Sequence, residues 1–312
     1  MNKRPKLLVS SCLLGQKVRF DGEGKRNNWM LDTLGKEVDF VPVCPEMLMG
    51  FGAPRDAMRL HRPVKKGEIE MINSKTQEVI TDIAQKAATK ALGMVPADID
   101  GVILMTNSPS CGLERVKVYD YNMSPAKTGV GFFAQRVLDN FPQSPIIEVG
   151  RLSDPPQRHH FLTRLWVQFS FIGLEHKIAS LQNFHACNKY LIMAHAPENV
   201  VKMGQIAANS LKNNTNDVFI KYKALLFDSF TKQPALGRLK NAYSHVLGYM
   251  KNDMNKEQKA YLQELLEKEL DSELDFVKTL RPILFFENQK VQNEYIKDQT
   301  IFNPYPKSLE VF

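Results

Sequence analysis

Three cysteines constrain what this chain can form, because each directly follows a short apolar run typical of a strand. The motifs are Ser10-Ser11-Cys12-Leu13-Leu14-Gly15 after Leu7 to Val9, Val43-Cys44-Pro45-Glu46 after the run 38–43, and Ser108-Pro109-Ser110-Cys111-Gly112 after the run 102–105. Apolar runs that end in Gly, Pro or Ser predict a strand followed by a loop. Residues just beyond the carboxyl ends of parallel strands gather in one crevice. We therefore expect the three cysteines to converge at one place.

Convergent cysteines have several chemical interpretations. Disulfides need pairs and an oxidising compartment. Structural zinc usually takes four Cys or His ligands, often as close pairs, and the sequence has no Cys-x-x-Cys pair. An iron–sulfur cluster is held by thiolates, and three of them on a four-iron cluster leave one iron open to substrate. Buried, inert thiols are the simplest interpretation of one cysteine, but three in such loops favour a reactive site.

Polar residues beside the cysteines support a reactive site. Glu46 lies two residues after the second cysteine, so we expect its carboxylate near the same crevice. Ser108 and Ser110 flank Pro109, whose fixed φ and restriction of the preceding residue make a rigid turn. Hydroxyl and N–H groups of this turn would point toward the site. Asp21, shortly after the first cysteine, adds a further carboxylate, and we take Asp21 and Ser110 as candidate substrate contacts.

Together these motifs resemble the thiouracil desulfidase (Tud) family. The resemblance covers about the first half of the chain and rests on several motifs in the right order: Ser10 to Gly15 with Val18 to Gly22, Pro42 to Glu46 with Gly52 to Arg55, and Ser108 to Gly112. In that family three cysteines hold a [4Fe–4S] cluster, and the open iron takes sulfur from a thiolated pyrimidine. The resemblance implies that Cys12, Cys44 and Cys111 are the cluster ligands. It also implies that Glu46 and Ser108 are catalytic.

Composition places the chain among globular proteins that are not membrane-spanning. Its 312 residues are enough for two domains, 43% of them are apolar, and no apolar run approaches the length of a membrane span. Four cysteines are too few for a disulfide scaffold, and the basic start of the chain is followed by only a three-residue apolar run. We therefore expect no signal peptide, no membrane partner and a cytoplasmic protein.

Up to about residue 150, strand-like and helix-like segments alternate, which predicts an α/β domain with a largely parallel sheet. Besides the strands before the cysteines, the pattern predicts helices over 28–34, 80–91 and 132–140, strands over 116–119 and 146–149, and a hairpin in which 64–66 pairs with 69–72 around Gly67. Beyond Asp154-Pro155-Pro156, which suits a helix start, the apolar spacing is helical. We therefore place an α/β domain at 1–152 and an all-α domain at 153–312, with a long helix over 261–280.

Basic residues are unevenly spread over the second half. The net charge of the chain is +7, and segment 202–251 holds eight Lys or Arg against two Asp, whereas segment 252–312 carries a net charge of −4. A clustered basic surface is the electrostatic footprint of phosphate-backbone binding, and a solvated helical surface is the alternative. From this segment we take Lys221, Lys223 and Arg238 as candidate substrate contacts.

His185 and Lys189 share one helix face, and His195 lies nearby in the sequence. The Lys189 ammonium disfavours a metal there, so phosphate or base-edge contact fits His185 and Lys189 better. A His pair that packs between helices is the alternative. We interpret Cys187, between them, as a packing residue and not as a cluster ligand.

The second half resembles the YbgA-type helical domain, in the pattern from Phe184-His185 through Leu191 to Pro197 and in the closing Asn303-Pro304-Tyr305-Pro306. A Tud-like half joined to such a half looks like the bacterial tRNA 4-thiouridine desulfidases, whose helical half is taken to bind tRNA. This implies hydrolytic, non-redox removal of sulfur from 4-thiouridine in tRNA, with Glu46 as the base and Ser108 as the donor. The alternatives are a desulfidase of free thiouracil or thiolated nucleotides, and a non-catalytic, metal-containing nucleic-acid-binding protein.

Overall fold

The computed structural model describes residues 3–209, 212–250, 255–267, 273–275, 277–278 and 294–310. The chain divides into two compact units, Met1–Asp154 and Pro155–Phe312. This division lies two residues beyond the boundary that the sequence places after residue 152. Within the described residues, no helix has the length and apolar character needed to cross a membrane.

A four-stranded parallel sheet forms the first layer of the N-terminal unit, in the order β2-β1-β5-β8. Its strands are β1 Lys6–Ser10, β2 Asp39–Val43, β5 Gly101–Leu104 and β8 Ile146–Glu148. Leu7, Leu8 and Val9 of β1 are fully buried, because helices and sheet cover both faces of a central parallel strand. The predicted α/β domain with a largely parallel sheet is confirmed.

A second, mixed sheet has the order β4-β3-β6-β7 and pairs only β3 and β6 in parallel. Its strands are β3 Met58–His61, β4 Glu70–Asn73, β6 Val116–Tyr119 and β7 Pro125–Gly129. The predicted hairpin is observed, but its first strand is wrong: residues 64–67 form a turn closed by the Gly67 N–H on the Val64 carbonyl at 2.9 Å. Lys66 has a φ of 65°, which a strand does not allow.

Helix α2 connects the two sheets within this unit. The helices are α1 Asn28–Asp32, α2 Thr81–Gly93 and α3 Phe132–Asn140. Ala84 and Ala87 of α2 pack with the second sheet, and Ala88 and Ala91 pack with the first sheet and α3. Alanine allows this close approach on two sides, and the predicted apolar spacing of this helix is confirmed.

The C-terminal unit is helical, and none of its described residues forms a strand, which confirms the predicted all-α half. The helices are α4 Pro155–Ile172, α5 Ile178–His195, α6 Pro197–Ala208, α7 Thr215–Ser229, α8 Leu236–Met250, α9 Lys256–Glu267 and α10 Glu294–Lys297. An aromatic cluster lies in its core, where the Phe171 and Tyr222 rings stack at 5.7 Å and Phe184 meets Phe171 edge-on at 5.6 Å. The predicted helix over 261–280 is described only up to Glu267 and at a few positions from 273 onward.

Candidate active site

The three strand-end cysteines of the N-terminal unit line one cavity of about 340 Å³. Cys12 lies in a turn after β1, Cys44 follows β2, and Cys111 lies in the loop after β5. These three strands are neighbours in the parallel sheet, so their carboxyl ends deliver the thiols to one edge. All four cysteines of the chain are free thiols, and Cys187 lies on α5 in the other unit. The predicted convergence is observed.

Burial disfavours ionised sulfur in this cavity. Burial, followed by the charges of Cys44 and Glu46, raises the pKa of Cys12 to about 11. Burial also raises the pKa of Cys44, and raises the pKa of Cys111 well above its ordinary value. A hydrogen bond from the Ser10 side chain opposes this effect at Cys111. Thiolates at these positions therefore need a positive partner.

Ser10 ties two of the strands together at the cavity. Its hydroxyl oxygen accepts the Met105 N–H at 3.0 Å, and its side chain also bonds to Cys111. This buried serine therefore links the end of β1 to the segment that carries the third cysteine. Nothing in its sequence context singles out the position beyond its place before the first cysteine.

Glu46 is held at the cavity by two partners. Its Oε2 forms an ion pair with the Arg55 guanidinium, whose side chain is only 3% exposed. Its Oε1 accepts the Ser108 hydroxyl at 3.1 Å. Arg55 also donates to the carbonyls of Gly52 at 2.7 Å and Val18 at 3.0 Å, so the guanidinium is fixed by backbone as well as by charge.

Ser108 connects the carboxylate to the third cysteine loop. Its oxygen accepts the N–H groups of Ser110 at 3.1 Å and Cys111 at 3.0 Å. Because two N–H groups occupy the oxygen lone pairs, the hydroxyl proton is free to point at Glu46. The carboxylate and the Cys111 loop therefore share one hydrogen-bonded unit.

The third cysteine loop is held by the start of α3. The Phe132 N–H donates to the Pro109 carbonyl at 3.1 Å, and the Phe133 N–H donates to the Ser110 carbonyl at 2.9 Å. These are the first-turn donors that a helix leaves unpaired, so the loop satisfies them. Gly131 lies so close that a Cβ there would be 2.5 Å from the Ser110 carbonyl. The absence of a side chain at Gly131 therefore allows α3 to approach the cysteine loop this closely.

The other candidates in this unit lie at the margin. Asp21 forms an ion pair with Arg19 at 3.0 Å, and Arg19, not Asp21, lines the cavity. Ser110 is 1% exposed and does not line the cavity. Lys25 also lines the cavity, so two cationic side chains, Arg19 and Lys25, lie at its wall. The substrate contacts proposed for Asp21 and Ser110 stay predictions.

The candidates on α5 are engaged within the helical unit. His185 Nδ1 is 3.0 Å from the Tyr222 hydroxyl, and its ring lies against Gly204 of the neighbouring helix α6. The Lys189 ammonium lies 5.7 Å from the centre of the Tyr190 ring. His195 is fully buried, and its ring faces Glu273 and not His185 or Lys189. The roles of His185 and Lys189 toward a substrate stay predictions.

The basic candidates on α7 and α8 are exposed. Lys221 and Lys223 flank the buried Tyr222, and the Lys223 ammonium lies 5.1 Å from the Phe227 ring. Arg238 donates to the His195 carbonyl at 2.6 Å and pairs with Glu198 at 3.5 Å. Arg238 therefore also has a structural role, because it binds the backbone at the end of α5.

Arg55 is the residue of the site whose role sequence reasoning missed. The Gly52 to Arg55 motif contributes to the family resemblance, but an arginine nine positions after Glu46 gives no periodic signal of pairing with it. The ion pair becomes visible only when the chain between them is folded into a turn at residues 47–49 followed by a loop.

Comparisons with known proteins divide the chain as its two units do. Residues 7–148 match the family model described as 2-thiouracil desulfurase, and residues 189–306 match a model described as a protein of unknown function, DUF1722. A solved structure titled "[4Fe-4S]-dependent thiouracil desulfidase TudS" is 29% identical, covers 48% of this chain and 95% of its own, and has a TM-score of 0.38. No curated protein matches the chain. The resemblance of the first half to the thiouracil desulfidases is confirmed, and the second match falls on the YbgA-like region.

We expect Gly131→Ala to displace the third cysteine loop. The added methyl group would meet the backbone of Ser110 and Cys111, and overpacking of this kind destabilises by about 1–3 kcal/mol. Trp29 fluorescence in a Trp166→Phe background would follow guanidinium unfolding of the N-terminal unit alone, because the chain has only two tryptophans. Gly93→Ala at the end of α2 meets no atom within 4 Å and is the matched control. Equal stability of the two variants would contradict this account of Gly131.

Proposed function

We propose that the chain is a desulfidase of thiolated pyrimidines and that its substrate is 4-thiouridine in tRNA. One observation carries the proposal: three strand-end cysteines, of which Cys12 and Cys111 are buried, and a fixed carboxylate line the same cavity. The family match over residues 7–148 supports the reaction class. The tRNA substrate is supported by the basic residues of the helical unit.

A [4Fe–4S] cluster fits the cavity by the chemistry of its donors. Three sulfur atoms are the soft ligands that iron–sulfur clusters take, and no fourth cysteine is present among the described residues that line the cavity. The positive charge of bound iron would also offset the burial that disfavours thiolates at these positions. Cys12, Cys44 and Cys111 would hold the cluster. When bound, it supplies an iron without a protein ligand, which acts as a soft Lewis acid toward thiocarbonyl sulfur.

The residues of the chain supply the acid–base chemistry. Glu46 accepts a proton from water as the water oxygen bonds to the thiocarbonyl carbon. The carbon–sulfur bond then breaks as the second proton of the water passes to the sulfur, which leaves as hydrosulfide while the carbonyl forms. Glu46 afterwards releases its proton to solvent. Water replaces sulfur without a change in oxidation state, so the reaction needs no oxidant or reductant. Arg55 keeps Glu46 oriented toward the cavity through this step.

Ser108 acts on Glu46 before it can act on a substrate. Its hydroxyl donates to Oε1 of the carboxylate, so donation to a tetrahedral intermediate requires that this bond be exchanged. When Glu46 takes up the proton from water, the carboxyl group loses acceptor strength and the Ser108 hydroxyl is released. Ser108 then becomes available as the donor to the developing charge.

The helical unit offers cations to a polynucleotide. Segment 202–251 has six exposed basic residues among those that the structure describes: Lys202, Lys212, Lys221, Lys223, Lys232 and Arg238. Only two acidic residues lie in the same segment, Asp217 and Asp228, so the charges are mostly uncompensated locally. Neutralisation of phosphates by such residues supplies sequence-independent affinity for nucleic acid.

The proposal is tested by incubating anaerobically purified protein with native tRNA and quantifying 4-thiouridine and released sulfide. Free 4-thiouridine monophosphate and thiouracil are assayed in parallel. Turnover of tRNA with a higher kcat/KM than the free compounds is expected. Turnover of the free compounds alone would show that the enzyme acts on small substrates. No turnover of any of the three would contradict the desulfidase proposal and favour a non-catalytic nucleic-acid-binding protein.

We expect Cys12→Ala, Cys44→Ala and Cys111→Ala each to abolish the brown chromophore and the activity, because each removes one of three ligands. Cys187→Ala is the matched control and should keep both, since Cys187 lies on α5. Iron and sulfide analysis with the visible spectrum gives the measurement. Loss of the chromophore in Cys187→Ala would contradict the three-ligand site.

We expect Glu46→Gln to retain the cluster and to lower kcat by on the order of 10²–10⁴-fold, the usual contribution of a general base. The amide keeps the shape of the side chain but cannot take a proton from water. Glu68→Gln, at an exposed position outside the cavity, is the control. Near-normal turnover in Glu46→Gln would remove this residue from the chemistry.

We expect Lys221→Glu with Lys223→Glu to weaken tRNA binding and to flatten its salt dependence. Each phosphate contact that is lost reduces the slope of log affinity against log salt by ~0.7–0.9. Arg238 is left unchanged because it also holds the His195 carbonyl. The control applies the same charge change to the exposed Lys86 and Lys90 of α2. Unchanged affinity and slope in the α7 variant would show that these lysines serve only solubility.

A further inference from the structure

A second group of metal-ligating side chains lies inside the helical unit, apart from the cysteine cavity. His160 of α4, His195 at the end of α5 and Glu273 each offer one ligand atom within 4.8 Å of the other two. The Nε2 of His195 lies 3.6 Å from Oε2 of Glu273, and the Nε2 of His159 lies 3.8 Å from the same oxygen. Residues far apart in the sequence thus converge on one buried carboxylate.

Four side-chain atoms of this region have no hydrogen-bond partner within the described part of the chain. They are His159 Nε2, His160 Nδ1, His195 Nε2 and Glu273 Oε2. The side chains of His159, His195 and Glu273 are exposed by only 1%, 0% and 5%. Buried polar atoms are nearly always paired, so an unpaired atom on each of the three converging side chains, His160, His195 and Glu273, calls for a ligand between them.

The hydrogen bond of His195 on the side of its ring away from Glu273 shows where the ring's lone pair points. His195 Nδ1 lies 3.0 Å from the Leu191 carbonyl, which can only accept, so Nδ1 carries the proton and the neutral ring directs its Nε2 lone pair at Glu273. A lone pair facing a carboxylate oxygen is repelled unless a cation or a proton lies between them. Metal-bound imidazoles usually donate their other N–H to a carbonyl in this way.

Burial disfavours charge throughout this group. It lowers the pKa of His159 and His160 to about 3 and of His195 to about 4, and it raises the pKa of Glu273 to about 8. The charges of Lys278 and Arg164 add to the effect at His159 and His160 respectively, and the same two cations would oppose a metal ion. A metal ion at this place must therefore displace the proton of Glu273 as it binds.

We propose that His160, His195 and Glu273 bind a divalent first-row transition metal ion, of which zinc is the representative. Two imidazoles and one carboxylate are a set that zinc takes in proteins, at about 2.0–2.2 Å from each ligand atom. Two such atoms around a tetrahedral ion are about 3.4 Å apart, and the observed separation of His195 and Glu273 is 3.6 Å. The ion joins α4, α5 and the helical residues 273–275, so its role is structural.

The test uses the full-length chain with Cys12, Cys44 and Cys111 replaced by serine, which removes the thiols of the cysteine cavity as metal ligands. Titration with Co²⁺ is expected to give about one ion per chain, with d–d absorption and no sulfur-to-cobalt charge-transfer band. Zinc should raise the melting temperature measured by helical circular dichroism. X-ray absorption at the zinc edge should show imidazole scattering.

His160→Gln and Glu273→Gln should each lower the Co²⁺ affinity by more than about tenfold. His245→Gln, at an exposed position on α8, is the matched control and should bind as the parent does. Binding of less than about a tenth of an equivalent by the parent protein, or zinc-edge spectra without imidazole, would overturn the proposal whether or not the variants fold. In that case a protonated Glu273 donating to an imidazole would explain the group. Binding unchanged in both folded variants would place the ion elsewhere. The outcome is independent of the desulfidase proposal, since turnover is not a readout.

Discussion

The parallel pairing of β2 and β5 on either side of β1 decides where the chemistry of this protein lies. Parallel neighbours end at the same edge of a sheet, so a cysteine placed just after each strand arrives at the same cavity. A slip of one residue along β1 would turn Leu8 toward the opposite face and move the first cysteine with it. The packing of Leu8 against Ala88 and Ala91 of α2 opposes such a slip, and so helps to fix the position of Cys12.

The site is organised around a carboxylate that is held from both sides. Arg55 binds one oxygen of Glu46 and Ser108 binds the other, so the side chain has little freedom to rotate away. Such preorganisation suits the general-base role proposed for Glu46, since no reorientation would be needed during reaction. Because Ser108 also accepts the Cys111 N–H, the carboxylate and the thiol loop share one support. A displacement of either one would therefore also displace the other.

The sequence could predict what depends on local pattern. Strand ends, the alanine spacing of α2 and the start of α4 at Pro155 all follow from apolar periodicity and from the conformational limits of proline. The pairing of Glu46 with Arg55 could not be predicted, because it depends on how the intervening turn and loop fold. The exposed, lysine-containing strand β7 was missed for a related reason: an edge strand has no apolar alternation. His195 likewise lies near His185 in the sequence, whereas the fold places it against Glu273.

The contacts between the third cysteine loop and α3 have a consequence for synthesis on the ribosome. All three thiols have been made once residue 111 leaves the tunnel, but the amides that hold their last loop belong to Phe132 and Phe133. A nascent chain therefore exposes a complete set of thiols before it has the helix that keeps them together. Domains generally fold as units, from the N-terminus onward, while synthesis continues. Between the emergence of Cys111 and that of α3, the thiols are open to oxidation and to stray metal ions.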